Sequence, residues 1–277
     1  MSTVTRPLAA AQQPGPPLPA TSLPRVLLSE WTKLRSLRST VFSLLAAVLF
    51  VLGLAILVPS VIVAHWPPRD PRDALGFDPV GTSLAGVFLA QLAVGTLGVL
   101  FMTGEYATGM IRATFAAVPA RLPVLGAKAL VFGATTLVLM VPAVVGAFSI
   151  GQLILRRQSI DTGLDAPGVA RAVVGAGVYL ALVGLLGLAL GALLRSTAAG
   201  ICALFGLLFV LPIIVHFLPS SWSDPIGRFL PSNAGQAIAQ VRPDPSGLSP
   251  WTGLAVFCAY VAGALVAAAV AMKRRDA

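Results

Sequence analysis

Charged residues are scarce in this sequence, and their scarcity is its most informative feature. Only 10% of the 277 residues are Asp, Glu, Lys or Arg, whereas about a quarter of an average globular chain is charged. Apolar residues make up 57% of the chain, and the mean hydropathy is +0.89. This composition excludes an ordinary soluble globular protein and predicts an integral membrane protein.

Cysteine and histidine are also rare, with two residues of each. Cys202 and Cys258 lie inside apolar stretches, which predicts small packing residues rather than a disulfide framework. His65 and His216 lie at the predicted outer ends of spans, without an HExxH motif or a second ligand at metal spacing. We therefore expect interfacial histidines and no zinc intramembrane protease.

Recognisable catalytic and nucleotide-binding motifs are missing from the sequence as well. No serine stands in a G-x-S-x-G context, and no charged residue falls well inside an apolar run, where it would mark ion coupling. The nearest approach to a phosphate loop, at 126–129, lacks the upstream glycines and the Ser or Thr after the lysine. The sequence predicts no enzyme and no bound cofactor or metal, so another chain would have to power any uphill transport.

Long apolar runs are what the sequence contains instead. Six of them reach the length of about 20 residues that a membrane helix needs, and they lie at 40–64, 80–103, 129–155, 172–194, 197–217 and 251–272. We predict an all-α integral membrane protein with a six-helix transmembrane domain over residues 40–272 and a tight hairpin between the fourth and fifth spans. Gly187 and Gly191 have close-packing spacing, which is compatible with packing inside the chain or with dimerisation.

Basic residues predict the orientation of these spans. With a cytoplasmic N-terminus, most of the 19 Lys and Arg residues lie on the cytoplasmic side, although Arg156 and Arg157 do not. The positive-inside rule then predicts a cell-membrane protein with both termini in the cytoplasm, including the basic segment 273–277. Orientation explains the net charge of +9 better than nucleic-acid binding, since aromatic residues are not interleaved with the basic ones.

Two different segments precede the first span. Residues 1–24 are rich in proline and lack apolar periodicity, which predicts a disordered cytoplasmic tail rather than a signal peptide. In residues 25–39, apolar side chains recur at helical spacing, at Leu27, Trp31, Leu34 and Leu37. Glu30 and Lys33 fall mostly on the other side. This pattern favours an amphipathic interfacial helix, and a basic flank that only orients the first span is the alternative.

The polar segment between the second and third spans, residues 104–128, is predicted to face the cytoplasm. Its middle, 106–117, is compatible with a helix, and Pro119 and Pro123 are expected to end that helix before the next apolar run begins. A short, partly apolar helix in this place suits docking to a cytoplasmic partner. The alternative is a surface loop that lies on the lipid headgroups.

The longest predicted outer loop, residues 218–250, contains helical pieces of its own. We expect one over 224–230 and another over 233–241 with Ser232 as its N-cap. The loop is interpreted either as a lid or re-entrant hairpin over an exit path, or as an ordered loop on the membrane surface.

Three stretches of the sequence resemble a known family. They are LLSEWTKLRSLRSTVFSLLAAVL at 27–49, GEYATGMIRATFAAVPARLPVLGAKALV at 104–131 and FLPSNAGQAI at 229–238. Together they look like the permease subunits of bacterial ABC transporters of the ABC-2 exporter type, especially actinobacterial ones. The resemblance covers the chain from about residue 25 to the C-terminus.

The resemblance implies a six-helix permease that pairs with an identical or related permease in the lipid membrane. A separate cytoplasmic ABC ATPase would bind ATP and magnesium and power the export of a drug-like, lipid-linked or other amphiphilic substrate through the permease. The segment after the second span is then a coupling helix, with matching positions at Glu105, Tyr106, Gly109, Ile111 and Arg112. The family's short outer helices match Pro231, Ser232 and Asn233.

Two other classes of protein stay open. A non-transporting sensor or assembly subunit would bind a cytoplasmic partner that has no ATPase activity. A membrane enzyme acting on lipid would need polar groups near an interface, for which Asp161, Asp165 and His65 are the candidates.

Overall fold

The computed structural model describes residues 22–36, 38–68, 76–111, 114, 121–242 and 245–274. Among these residues the regular structure is entirely helical, and no β-strand occurs in them. Six helices are long and apolar enough to cross a membrane, which confirms the predicted number of spans. The predicted disordered tail lies outside the described residues as far as position 21.

The helices are numbered along the chain. They are α1 (Leu23–Ser36), α2 (Arg38–Ala64), α3 (Pro79–Ser83), α4 (Gly86–Ala107), α5 (Arg121–Leu155), α6 (Val169–Leu194), α7 (Thr197–Phe205), α8 (Leu211–His216), α9 (Ser220–Gly227), α10 (Pro231–Gln236) and α11 (Pro250–Arg274). A π-helical turn joins α7 to α8, and 3-10 turns follow α5 and α10. The six spans are therefore α2, α4, α5, α6, α7 with α8, and α11.

The predicted second span, 80–103, is broken near its start. Asp78 caps α3 by accepting a hydrogen bond from the backbone N–H of Val80 at 3.0 Å, and Pro79 occupies the first helical position. The chain then turns at Leu84 before α4 begins, and α4 continues to Ala107. The span predicted at 80–103 is therefore divided into two helices: the cap and the proline set the start of α3, and the turn at Leu84 separates it from α4.

The third span begins earlier than its apolar run. α5 starts at Arg121 and contains Pro123 in its first turn. The expectation that Pro123 would stop a helix was wrong, because a proline in the first turn removes an N–H group that has no intrahelical acceptor. Lys128 consequently belongs to α5 instead of the preceding loop.

The centre of the bundle is the pair α4 and α6. In their apolar windows 67% and 72% of the residues are buried, against 17% in α2 and α11. Glycine permits this close approach: a Cβ atom at Gly98 would overlap the carbonyl oxygen of Gly184, and one at Gly187 would overlap that of Gly95. The Gly187-x-x-x-Gly191 spacing therefore serves packing within this chain.

α1 confirms a helix before the first span, but its buried face differs from the predicted one. Val26, Glu30 and Leu34 are buried, whereas Trp31 is 44% exposed. Leu27 is half-buried, and Leu37 lies outside the described residues. Placing Glu30 on the polar side was wrong, because α1 packs against α5 and directs this carboxylate inward. Its interfacial position stays a prediction.

The bundle has two ends with different structures. At the end where α1 lies, called the N-terminal end, Val26 of α1 packs on Val124 and Ala127 of α5. The predicted tight hairpin between α6 and α7 lies at this end, with Arg195 in the left-handed region and Ser196 capping α7. At the opposite end, called the loop end, lie α3, the 156–168 segment, α9 and α10.

The two short helices at the loop end begin at other residues than predicted. α9 is Ser220–Gly227, and α10 is Pro231–Gln236, followed by a 3-10 turn at Ala237–Ala239. Leu230 is the N-cap residue of α10. The assignment of Ser232 as the cap was wrong, since proline is favoured at the first helical position and starts the helix at Pro231.

Candidate functional site: a buried ionic ring

Four charged side chains meet at the N-terminal end of the bundle. Glu30 and Lys33 lie one turn apart on α1, Glu105 lies in the last turn of α4, and Lys128 lies in α5. We call these four residues the ionic ring. Three helices that are distant in sequence each contribute to it, so the site exists only in the folded chain.

The contacts of the ionic ring alternate between acid and base. The Nζ of Lys128 contacts Glu30 Oε2 at 2.6 Å and Glu105 Oε1 at 2.8 Å. The Nζ of Lys33 contacts Glu30 Oε1 at 2.7 Å and Glu105 Oε1 at 2.9 Å. Each lysine thus donates to both carboxylates, and the two positive and two negative charges balance.

The ionic ring is buried on one side and open on the other. Glu30 and Lys128 are fully buried, and Glu105 is 5% exposed. The Nζ of Lys128 also lies 4.2 Å from the centroid of the Phe101 ring. Lys33 keeps 22% of its side chain exposed, more than any of the other three, and the described part of the ring opens to solvent there.

The lysine at the opening stays protonated at neutral pH. Burial lowers the pKa of Lys33, but its hydrogen bonds to Glu30 and Glu105 outweigh that effect and hold this pKa above its ordinary value of 10.5. Because the folded pKa is the higher one, the stabilisation is complete below 10.5 and is lost as the pH rises through the folded value. Lys33 therefore carries its positive charge under physiological conditions.

The ionic ring reaches the segment that follows α4. Lys33 Nζ lies 3.4 Å from Thr114 Oγ1, and Thr114 is the one described residue between 112 and 120. The second carboxylate oxygen of Glu105, Oε2, is buried and has no hydrogen-bond partner among the described residues. Arg112, one of the coupling positions that the family resemblance implies, lies outside them. Glu105 gives its Oε1 to Lys33 and Lys128.

The predicted coupling residues fall into two environments. Glu105 and Tyr106 belong to the last turn of α4, not to the loop, because Thr108 caps that helix. The guanidinium carbon of Arg195 lies 5.4 Å from the centroid of the Tyr106 ring. Ile111 is 4% exposed and packs in the same apolar cluster as Leu34 and Phe101. Three of the five positions thus contact this chain's own side chains.

Gly109 reverses the chain after α4. Its φ of +70° lies in the left-handed region, and a Cβ atom there would meet no heavy atom within 4 Å. Its requirement for glycine is therefore conformational and not steric. This turn directs Ile111 back into the bundle and leaves Met110 42% exposed.

We expect Gly109→Ala to weaken this turn by about 1 kcal/mol, the usual penalty for an L-residue in the left-handed region. The matched control is Gly104→Ala, where a helical glycine also has open space around it, so alanine should be neutral or slightly stabilising. Limited proteolysis of residues 108–120 in the purified protein measures the difference. Equal cleavage rates in the two variants would contradict the role of the positive φ.

The residues that match the family's short outer helices contribute to packing at the loop end of the bundle. Pro231 and Ser232 are buried, whereas Asn233 is exposed and donates its Nδ2 to the carbonyl of Gly227 at 2.9 Å. A Cβ atom on Gly235 would lie 2.5 Å from the Tyr179 ring, so glycine lets α10 rest on α6. The FLPSNAGQAI stretch therefore positions α10 against the bundle.

The residues considered for enzyme chemistry on lipid do not form a site with one another in the described part of the chain. His65 bonds to the carbonyl of Val61 through Nδ1 at 2.8 Å, and Asp161 and Asp165 are exposed on the segment after α5. Within the described ranges no group of three His, Cys, Asp or Glu side chains is arranged to hold a metal ion. The sequence pattern gave no functional role to Glu30 or Lys128, although charged residues close to a membrane span are a signal of function.

Its six apolar helices make this chain a multi-pass membrane protein. Comparison with models of known protein families finds no match, and comparison with curated proteins finds no relative. The likeness to ABC-2 permeases therefore stays a prediction that rests on three stretches of sequence.

Proposed function

We propose that the chain is the membrane-spanning permease subunit of an ATP-driven exporter. A separate cytoplasmic ABC ATPase would dock on the 104–123 segment and supply the energy, and a second permease chain would complete the path for an amphiphilic substrate. The observation that carries this proposal is the ionic ring, because it joins the end of α4 to α1 and α5 and reaches Thr114 in that segment.

In this mechanism the ionic ring transmits movement of the docking segment to the spans. The buried ion pairs hold α1, α4 and α5 at fixed separations, so a push on the segment moves three helices together. Packed interfaces of this kind switch between discrete arrangements instead of deforming gradually. The ring would thus convert closure of the ATPase into a change of access in the bundle.

The proposed contact surface differs from the set of coupling positions that the family resemblance implies. Glu105 and Ile111 are buried and act from inside the chain. Thr108, Gly109 and Met110 are exposed beside them. We assign direct contact with the ATPase to this exposed turn and to Arg112, and we assign transmission to Glu105.

Charge substitution at the exposed turn tests the proposal. We expect Met110→Glu to reduce the amount of ATPase that co-purifies with the tagged chain in mild detergent by about tenfold, because it places a carboxylate in an apolar contact. The tagged chain is purified from native membranes, and co-elution is measured by ATP hydrolysis in the eluate and by mass spectrometry of the co-purifying proteins.

Leu164→Glu is the matched control. Leu164 is 44% exposed, similar to Met110 at 42%, but lies at the loop end of the bundle. Co-elution should be unchanged in this variant. If neither the native chain nor the control retains an ATPase while another cytoplasmic protein is retained through Met110, the sensor or assembly subunit replaces the exporter.

A further inference from the structure

The loop end of the bundle contains a cavity that the proposed exporter mechanism does not use. Its volume is about 330 Å³, and it lies between the end of α8, the helices α9 and α10, and residues 246–248. Its polar lining includes His216, Ser223, Asp224, Arg228, Asn233 and Gln236. A volume of this order is at the lower end of the range of small-molecule sites, about 300–1,000 Å³.

Opposite charges line one wall of this cavity. Asp224 lies in the C-terminal half of α9, Arg228 is the C-cap residue of that helix four positions later, and both side chains are exposed. No ion pair joins them, and neither forms one with another described residue. Asp224 accepts a hydrogen bond from Ser223 at 3.2 Å, and Arg228 lies 5.1 Å from the Phe229 ring centroid. The two charges are therefore available to a ligand separately.

The inner wall of the cavity is polar. Gln236 lines it beside the phenol of Tyr179, and that phenol donates to Oε1 of Gln91. Tyr179 and Gln91 are each 1% exposed. Burying such groups is unfavourable unless they are hydrogen-bonded, so the bond between Tyr179 and Gln91 stabilises the polar surroundings of Gln236.

The surroundings of the cavity are those of a membrane interface. Phe217 and Trp222, on the connection from α8 to α9, are 83% and 64% exposed. Aromatic side chains are enriched at the headgroup level of membranes. A ligand in the cavity would therefore lie at the depth of lipid headgroups, with its polar group toward α9 and α10.

We propose that this cavity binds a zwitterionic group that carries a phosphate and an ammonium, as in a phosphoethanolamine headgroup. Arg228 would donate to the phosphate, in the charge-assisted geometry that guanidinium groups favour. Asp224, four positions earlier in the chain, would accept from the ammonium, and Gln236 would hydrogen-bond the polar remainder. The proposal is independent of the exporter function, because it concerns the other end of the bundle.

Lipid retention by the full chain tests this site. The chain is reconstituted in phosphatidylcholine nanodiscs that contain equal amounts of phosphatidylethanolamine and phosphatidylglycerol, and the retained lipids are counted by native mass spectrometry. We expect preferential retention of phosphatidylethanolamine. Asp224→Asn and Arg228→Gln should each reduce it about tenfold, the effect of losing one hydrogen bond to a charged group.

Two substitutions at the same end of the bundle are the matched controls. Arg157→Gln and Asp161→Asn remove the same charges from exposed positions on the segment after α5, outside the cavity lining. Retention should be unchanged in both. Because all four side chains are exposed, each variant is expected to keep the melting temperature of the parent chain, which confirms that it is folded.

The source of the group is distinguished by a soluble probe. Displacement of the lipid by millimolar O-phosphoethanolamine would show that the headgroup alone is recognised, and its failure would show that the acyl chains are needed; both results support the site. Equal retention of phosphatidylglycerol, or a loss in Arg228→Gln without one in Asp224→Asn, would overturn the proposal, since a simple anion site needs no carboxylate.

Discussion

Lys128→Met is expected to destabilise the folded chain by about 3–5 kcal/mol, the range for removing one partner of a buried ion pair. Lys128 is fully buried and is bonded to both Glu30 and Glu105. Its removal leaves two buried carboxylates that share a single remaining lysine. Methionine preserves most of the volume and a favourable contact with the Phe101 ring, so the loss reports charge and not packing.

Unfolding in mixtures of dodecyl maltoside and SDS measures this effect. Lys33→Met is the matched control, because Lys33 contacts the same two carboxylates but is 22% exposed. A smaller loss is expected there, since water can solvate the carboxylates through the opening. Adding Glu105→Gln to Lys128→Met restores the balance of charge and should recover much of the stability. A double variant no more stable than Lys128→Met would contradict the account.

The second large effect is expected at the crossing of α4 and α6. Gly98→Ala should destabilise the chain by about 3 kcal/mol, at the upper end of the range for overpacking a core. The added Cβ would overlap the backbone carbonyl of Gly184, and a backbone cannot move aside as the end of a flexible side chain can. The two central helices would have to separate along their whole contact.

Gly53→Ala in α2 is the control for this prediction. Gly53 also lies inside a membrane-spanning helix, but a Cβ atom there would meet no heavy atom within 4 Å. Alanine at this position should therefore leave stability unchanged or raise it slightly, as helix propensity dictates. Thermal unfolding of the two variants in one detergent compares them directly. Similar melting temperatures would show that α4 and α6 are not packed as closely as described.

Buried ionic rings are not explained by stability alone. Replacing a buried ion pair by well-packed apolar residues is often neutral or stabilising, because desolvation offsets much of the attraction between the charges. We therefore explain a cluster of four charges, in a chain with so few charged residues, by the selection of one arrangement of α1, α4 and α5. In the proposed exporter, that arrangement holds the docking segment in register with α1 and α5.

The number of spans was predicted correctly because composition controls it. The errors lie at helix boundaries, which single turns and prolines control. Six apolar runs became six spans, because a run of that length has few alternatives in a membrane. The second span was not predicted to be divided, because the turn at Leu84 between α3 and α4 has no signal in the apolar run. The start of the third was wrong because Pro123 is tolerated in a first turn.

The candidate site was predicted only in part. Glu105 was identified through the family resemblance and Lys33 through the α1 pattern, but nothing in the sequence indicated that the two side chains touch. Helical periodicity placed Glu30 on the polar face, because a charged residue is normally solvated. It is buried because Lys128, 98 positions later, neutralises it at 2.6 Å.

A helical, multi-pass chain without a recognisable nucleotide or metal motif can be inferred from the sequence, because apolar length and motifs are local properties. The ring of Glu30, Lys33, Glu105 and Lys128, and the cavity lined by Asp224 and Arg228, are visible only in the folded chain. Both sites depend on the distances between helices. Close contacts such as the one between Gly98 and Gly184 set those distances, and no periodicity in a single helix encodes them.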